Sequence, residues 1–370
     1  MSRSLKAFIL SFFLVFTPVV ADTELELYYA QYQDDDNLEV SSPTLSVLHW
    51  LNDFFSLKAR YNYEKFEKSA NGGGSANLDA ISGATTVVGG SGSGFEESRK
   101  EYSVVFGYKN GDWISSLGSM KSDEENFDSI SLMAGVGREF FNRNFSLNFN
   151  YAFTSDKITV NNQQTGVANE EKATHSFTLG ASQLLSPTKV LSFGVGTAYI
   201  DGYQSGPLRK ISVDQRTGSS LISYIYDERH PDYRERYLLY TQYKQYFQSR
   251  TALTVSVSGY RDDWGVSAIA LEPTIAQYLN DNVRLRLRYR YYRQSSAEFY
   301  ESDYSEEQDI MTADKRLRPF YSQVVGINIS YSSNNFASQR WVATLGYNRY
   351  QESDQGLNAN LFSISTKYKF

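Results

Sequence analysis

The chain has 370 residues, a formal net charge of −6, no cysteine and three histidines. The lack of cysteine excludes disulfides, thiolate zinc sites and cysteine nucleophiles. The negative charge argues against nucleic acid as a partner. The apolar content is aromatic, with 29 Tyr and 23 Phe, whereas a soluble domain of this size normally concentrates Leu, Ile and Val in its core.

The first residues predict export. Arg3 and Lys6 precede an apolar run from Ala7 to Phe16, and Val19-Val20-Ala21 supplies small residues for cleavage. We expect residues 1–21 to be a signal peptide and residues 22–370 to form one domain. Its removal lowers the formal net charge from −6 to −8.

The mature chain alternates with a period of two residues almost throughout, which is the pattern of β-strands. In the stretch FSLNFNYAFTSD, the apolar residues Phe145, Leu147, Phe149 and Tyr151 share one face, while small or polar residues fill the other. No stretch after the apolar N-terminal run has a long helical period. Breaks in the alternation divide the chain into sixteen strands between Glu24 and Phe370.

The breaks are alternately short and long. Short turns fall near residues 52–53, 110–112, 142–144, 186–188, 248–250, 280–282 and 333–335. Long connections fall near 34–42, 67–98, 122–126, 159–172, 204–233, 262–265, 301–318 and 352–358. An even number of antiparallel strands with this alternation of turns predicts an all-β, transmembrane barrel of the bacterial outer membrane.

The C-terminal strand agrees with a barrel, because Phe362, Ile364, Tyr368 and the terminal Phe370 share one face. This ending resembles the signal recognised by the barrel assembly machinery, so we expect that machinery and outer-membrane lipid as partners. A soluble sandwich or propeller is the alternative, but its outward aromatic faces would aggregate. The short turns and both chain ends should be periplasmic, and the long connections extracellular.

An arginine ladder is the clearest charged feature. In VRLRLRYRYYR, Arg284, Arg286, Arg288 and Arg290 share one strand face and should line the lumen, because arginine facing lipid near the midplane costs several kcal/mol. The ladder could select anions or hold an inward-folded acidic loop. The alternative is structural pairing with lumenal carboxylates such as Glu26, Glu64 or Glu272.

No catalytic or metal site is predicted, and we do not expect an enzyme. The acidic groups Asp34-Asp35-Asp36, Asp123-Glu124-Glu125, Asp262-Asp263 and Glu306-Glu307 lack calcium-loop spacing and are expected to be solvated loop tips. His49, His175 and His230 lack the spacing of a helical zinc site. His230, within DERHPDYRER, has no activated serine beside it and is interpreted as a packing or hydrogen-bonding residue.

Two stretches resemble an uncharacterised family of bacterial outer-membrane barrels. They are HPDYRERY, from His230 to Tyr237, and the segment from Gly259 to Tyr300, which contains DDWG and RYYRQSSAEFY. The resemblance extends over the mature chain and is most specific in its C-terminal half. It implies an outer-membrane barrel without an assigned activity. It also implies an envelope redox setting, because such proteins are described beside genes for a flavin transferase and a thioredoxin-like protein.

The loop near 67–98 contains DAISGATT between two glycine-rich runs. It is similar to the sequence at which flavin transferases attach FMN to threonine. The similarity implies recognition through Asp79, Ser82, Gly83 and Ala84, with the Thr85 hydroxyl as the attachment point. Glycine and alanine would let an enzyme approach the backbone closely. The alternative is a plain flexible connector, since Gly/Ser/Thr-rich loops produce such strings by chance.

The sequence therefore leaves three functions open. The leading one is a porin-like passage, or an envelope scaffold, with an Arg-lined lumen. The second is a redox component that carries covalent FMN on Thr85 and exchanges electrons with a periplasmic redox protein. The third is a barrel that binds a partner protein or is closed by its own loops.

Overall fold

The computed structural model describes residues 23–68, 95–162, 166–206, 209–217, 219–334, 340–353 and 356–370. Sixteen antiparallel strands form a closed barrel, as predicted, and two more form a separate hairpin. The strands are β1 (Thr23–Asp34), β2 (Leu38–Trp50), β3 (Phe55–Lys68), β4 (Phe95–Asn110), β5 (Trp113–Glu124), β6 (Phe127–Phe140), β7 (Phe145–Asn162), β8 (Gly166–Ser186), β9 (Lys189–Gly202), β10 (Lys210–Thr217), β11 (Ser220–Asp227), β12 (Tyr233–Tyr246), β13 (Thr251–Asp262), β14 (Ser267–Tyr278), β15 (Val283–Gln294), β16 (Phe320–Ser332), β17 (Trp341–Glu352) and β18 (Asn358–Lys369).

The barrel closes where its first and last strands pair, with Tyr29 opposite Ile364. Apart from this closing pair, the barrel strands pair with their sequence neighbours except that β9 pairs with β12. The β10–β11 hairpin is therefore not one of the sixteen barrel strands, which we call the wall. Closure leaves the wall without an unpaired edge, as a strand structure in hydrocarbon requires. No helix among the described residues is long and apolar enough to cross a membrane.

The two faces of the wall differ as the alternation predicts. Outward side chains are large, apolar and exposed, for example Leu132 at 55% and Phe362 at 55%. Inward positions on several strands are small. An added Cβ at Gly346 would lie 2.5 Å from Ser363 Oγ, so a larger residue there would require neighbouring side chains to move. The outer surface is therefore suited to lipid.

The connections differ from the sequence prediction in two ways. Two connections expected to be long are short, at residues 35–37 and 125–126, and the ladder of β7 and β8 continues through most of 159–172. The connection expected at 262–265 is found at 263–266. Beyond lipid, outward residues need not be apolar, so the alternation fades although the backbone pairing continues. The predicted loop 204–233 was wrong as a simple loop, because it contains the β10–β11 hairpin.

The hairpin and the connection from β15 to β16 pack together at the long-loop end of the barrel. Ile211 and Val213 of β10 are buried against Tyr304 and Met311 of that connection. A second cluster joins Trp264 and Val266 to Ala297 and Leu317. We call the assembly of residues 203–206, 209–217, 219–232, 263–266 and 295–319 the cap. Its apolar contacts hold the segment around residues 312–318 in a fixed position.

Candidate functional site in the barrel interior

The arginine ladder lies on one face of β15. Its residues alternate with Leu285, Leu287 and Tyr289, of which Leu287 is 47% exposed on the outer surface. Arg288 lines a cavity inside the barrel, and residues two apart in a strand share a face. Arg284, Arg286 and Arg290 therefore lie on the same inner face.

One carboxylate serves two of these arginines. Glu272 of β14 lies 2.8 Å from Arg288 and 3.9 Å from Arg290. Glu272 is one of the three carboxylates that we predicted from the sequence as possible partners of the arginine ladder. Arg286 has no ion-pair partner among the described residues, and as a whole residue it is exposed. The ladder thus keeps more positive than negative charge.

The cavity has a volume of about 670 Å³ and lies between β1–β3 and β15–β18. Its charged lining consists of the cations Arg60, Arg288, Lys315 and Arg316 and the carboxylates Glu64 and Glu352. Aromatic side chains from β1, β16 and β17 complete it. A concave space of this size with a few convergent charges is the ordinary form of a small-molecule site.

The short segment that brings Lys315 and Arg316 to the cavity is held by its backbone. Lys315–Leu317 form one turn of 3-10 helix, with the Asp314 side chain accepting a hydrogen bond from the Arg316 backbone N–H. Gln294 Nε2 at the end of β15 donates to the carbonyls of Arg316 and Arg318 at 2.6 and 2.8 Å. Leu317 is buried beneath. The two cations are therefore presented toward the interior on a fixed support.

A buried polar cluster fixes the other side of this segment. Arg209 lies 2.8 Å from Asp314 and 3.4 Å from Glu228. Glu228 also accepts hydrogen bonds from Thr312 Oγ1 at 2.6 Å and from the Gly206 N–H at 2.7 Å. The side chains of Arg209, Glu228 and Asp314 are nearly excluded from water. Each charge is therefore stabilised by its oppositely charged partner, because water is not there to solvate it.

The pKa values of the two carboxylates reflect this pairing. Burial raises the pKa of Glu228, but His230 and Arg209 and the hydrogen bond from Thr312 outweigh it, and the pKa falls below its ordinary value. Burial also raises the pKa of Asp314, and the charges of Arg316 and Arg209 bring it well below its usual range. Both groups are therefore carboxylates at neutral pH.

His230 has the packing and hydrogen-bonding role that its sequence context suggests. Its Nδ1 lies 3.0 Å from the carbonyl oxygen of Gln204, and its Nε2 lies 3.4 Å from Glu228. The imidazole meets the ring of Trp264 edge to face with centroids 5.1 Å apart, and Phe299 closes the group. This places the ring between the buried charges and the apolar part of the cap.

The two stretches that carried the family resemblance meet here. Arg234 pairs with Asp262, its Nε donating at 3.0 Å, and its guanidinium stacks 4.0 Å above Trp264. Gly265 has a φ of +85°, a backbone conformation that favours glycine. The DDWG turn is thus a structural corner, and sequence reasoning missed the Arg234–Asp262 pair because the partners lie on different strands.

The acidic clusters are less solvated than expected. Asp34 is buried, and its Oδ1 accepts hydrogen bonds from the backbone N–H groups of Asp36 and Leu38. Glu124 and Asp262 are also buried, the former 3.7 Å from Arg99. For these three residues the prediction of a solvated tip was wrong, because each carboxylate forms the turn or pairs inside the wall. The segment from Asp79 to Thr85, which the sequence predicts as a site of FMN attachment, lies outside the described residues.

Similarity to a solved outer-membrane structure supports the fold. The chain is similar to a bacterial polysaccharide outer membrane secretin, with a TM-score of 0.52 and 10% identity over 95% of this chain and 100% of that one. It also matches OmpTdeltaL8, a loop deletion mutant of an outer membrane protein of Vibrio cholerae (TM-score 0.45, 10% identity, 95% and 99% covered). A third match is the siderophore receptor PirA of Acinetobacter baumannii (TM-score 0.44, 12% identity, 92% and 54% covered), of which this chain spans about half the length.

Among curated protein sequences, none matches this chain significantly. A family model described as "Protein of unknown function (DUF3570)" matches residues 16–363. That match includes all of the barrel strands except the end of β18, together with the cap and the arginine ladder. The chain therefore belongs to the family of proteins of unknown function called DUF3570.

Proposed function

We propose that this protein is an outer-membrane barrel that admits small anions to its interior and passes them through it. The observation that carries the proposal is the excess of positive charge on β15. Among the described residues, Glu272 is the one carboxylate that forms ion pairs with Arg288 and Arg290, and Arg286 has no ion-pair partner. Cationic linings favour anions because they replace part of the ion's hydration. The short-turn end would face the periplasm and the long-loop end the outside.

The exposure of the ladder fits passage better than tight retention. The side chains of Arg288 and Glu272 are 37% and 30% exposed, so water screens their charges. A screened cation attracts an anion weakly, and conduction needs binding that is favourable enough for entry and weak enough for release.

Planar-bilayer recording under a salt gradient tests the proposal. We expect the wild-type barrel to give a reversal potential of anion-selective sign, and the double variant R286E/R288E to move it toward cation selectivity. K121E is the control for position, because it reverses one charge on the exposed outer face of β5, whereas the double variant reverses two charges in the interior. Absence of conductance, or a reversal potential that the double variant leaves unchanged, would reject the proposal.

The second candidate is an envelope redox component that carries FMN on Thr85. Its support is the D-x-x-S-G-A-T string at Asp79 to Thr85 and the redox setting implied by the family resemblance. In this step the Thr85 oxygen would form a bond to the FMN phosphorus of FAD, and AMP would leave with the hydroxyl proton. A flavin transferase and a periplasmic redox protein would be the partners.

Intact mass of protein produced together with a flavin transferase decides this candidate. We expect an increment equal to one FMN less water, together with in-gel flavin fluorescence, and loss of both in T85A. T86A is the matched control within the same loop. Unmodified wild-type protein under these conditions would remove the candidate.

A further inference from the structure

The interior cavity combines two kinds of surface. One part is cationic, with Arg60, Arg288, Lys315 and Arg316 in its lining. The other part is aromatic and aliphatic and is formed by Tyr28, Tyr32, Phe320, Val324, Tyr350 and Leu361. A passage for inorganic ions alone has no need of the second surface.

The carboxylates in the lining do not cancel its positive charge. Glu64 pairs with Arg99, and Glu352 pairs with Arg318 at 2.6 Å, so each carboxylate is already neutralised by an arginine outside the lining. By contrast, Arg60 and Lys315 have no ion-pair partner among the described residues, and both are exposed to the interior. These two cations are available to an incoming anion.

Two of the three lining tyrosines have their hydroxyl groups engaged in hydrogen bonds within the protein. Tyr32 donates its hydroxyl hydrogen bond to Asp34 at 3.2 Å, and Tyr350 donates to Glu352 at 2.6 Å. With the polar ends engaged, the exposed parts of these side chains are aromatic faces and edges. Such surfaces favour an aromatic or flat apolar body.

We propose that the cavity is a binding site for an organic anion with an aromatic body and one or more carboxylates, held by Arg60 and Lys315 against the tyrosine-lined wall. The volume of about 670 Å³ suits a molecule of that kind. The inference deepens the proposed function and rests on it for the route by which the ligand reaches the cavity. Because β3 supplies Arg60 and the cap supplies Lys315, the wall and the cap must both be folded for the site to exist.

Isothermal titration calorimetry on the full-length barrel in a non-ionic detergent tests the site. The probe is benzene-1,4-dicarboxylate, compared at low ionic strength with trans-cyclohexane-1,4-dicarboxylate and benzyltrimethylammonium. We expect the aromatic dianion to bind most tightly, the aliphatic dianion more weakly and the cation not at all. Removing two screened charge contacts in R60Q/K315Q should weaken the aromatic dianion about tenfold.

K58Q is the matched control, because Lys58 lies two residues before Arg60 on the same face of β3 but outside the cavity lining. It should change the affinity less than about twofold, given the weakness of single exposed charges. Heat-modifiable migration on gels verifies that each variant is folded. Equal affinity for the three probes, no binding of the aromatic dianion, or equal losses in K58Q and R60Q/K315Q would overturn the site.

The calorimetric result and the bilayer result are independent readouts. A barrel that conducts anions but does not bind the aromatic dianion retains the proposed function and loses this site. A barrel that binds the dianion but conducts nothing retains the site and loses the proposed passage.

Discussion

The cap and the inner face of the wall both contain Arg–carboxylate ion pairs, but the two pairs differ in their exposure to water and in the balance of charge around them. In the cap, Arg209 and Asp314 are 8% and 3% exposed and are paired at 2.8 Å. On the wall, Arg288 and Glu272 are 37% and 30% exposed at the same separation. The first pair is buried and its charges are balanced. The second is partly exposed to water, and the arginines around it outnumber the carboxylates. Burial and balance, and not residue type, therefore separate a structural ion pair from one that is free to meet a ligand.

Neutralising one buried charge in the cap should have the largest effect on stability, and it tests whether the buried ion pairs hold the cap in place. In D314N, Arg209 and Arg316 lose a buried carboxylate, and removing one partner of a buried pair costs about 3–5 kcal/mol. We expect residues 309–318 to lose their protection in peptide-level hydrogen exchange while the wall keeps its own. D303N, an exposed change in the same connection, is the control. Unchanged protection in D314N would show that apolar packing alone holds the cap.

Acid should loosen the cap over a defined range. The pKa values of Glu228 and Asp314 are lower in the folded protein than their ordinary values of 4.5 and 3.8. A lowered folded pKa contributes stability that is present above the ordinary pKa and is lost as the pH falls through the folded value. We expect cap protection to be constant from neutral pH to about 4.5 and to decline below it, because protons then bind the unfolded segment preferentially.

Hydrogen exchange corrected for the intrinsic rate at each pH measures this decline. The wall is the internal reference, since backbone pairing holds it. A decline that begins near neutral pH would contradict the assignment to these two carboxylates.

The smallest expected effect is on the stability of the wall. R288Q removes a partly exposed pair, and such pairs contribute about 0–1 kcal/mol. We expect its heat-modifiable transition temperature to stay close to that of the wild type, although its conductance changes. R250Q, which removes a more exposed pair with Asp281 in a short turn, is the stability control, and we expect it to change the transition temperature no more than R288Q does. A large loss of stability in R288Q would mean that the ladder is structural.

The strands of the wall could be predicted from the sequence because the residue pattern of each strand reflects the surroundings of its two faces. Lipid on one side and water on the other impose a period of two, which is visible within ten residues. The arginine ladder was found in the same way. The cap was not found, because its contacts join distant residues: Thr312 and Glu228 are separated by 84 positions, and no local pattern marks them as partners.

By itself, therefore, the sequence determined the number of strands in the barrel, their antiparallel arrangement and the sign of the charge on β15. Tertiary structure alone decided which charges are neutralised, since Glu64 and Glu352 are paired with arginines while Arg60 and Lys315 have no such partner among the described residues. The physical reason is that periodicity is a property of one strand, whereas the energy of a charge depends on every neighbour that closure of the barrel brings within reach.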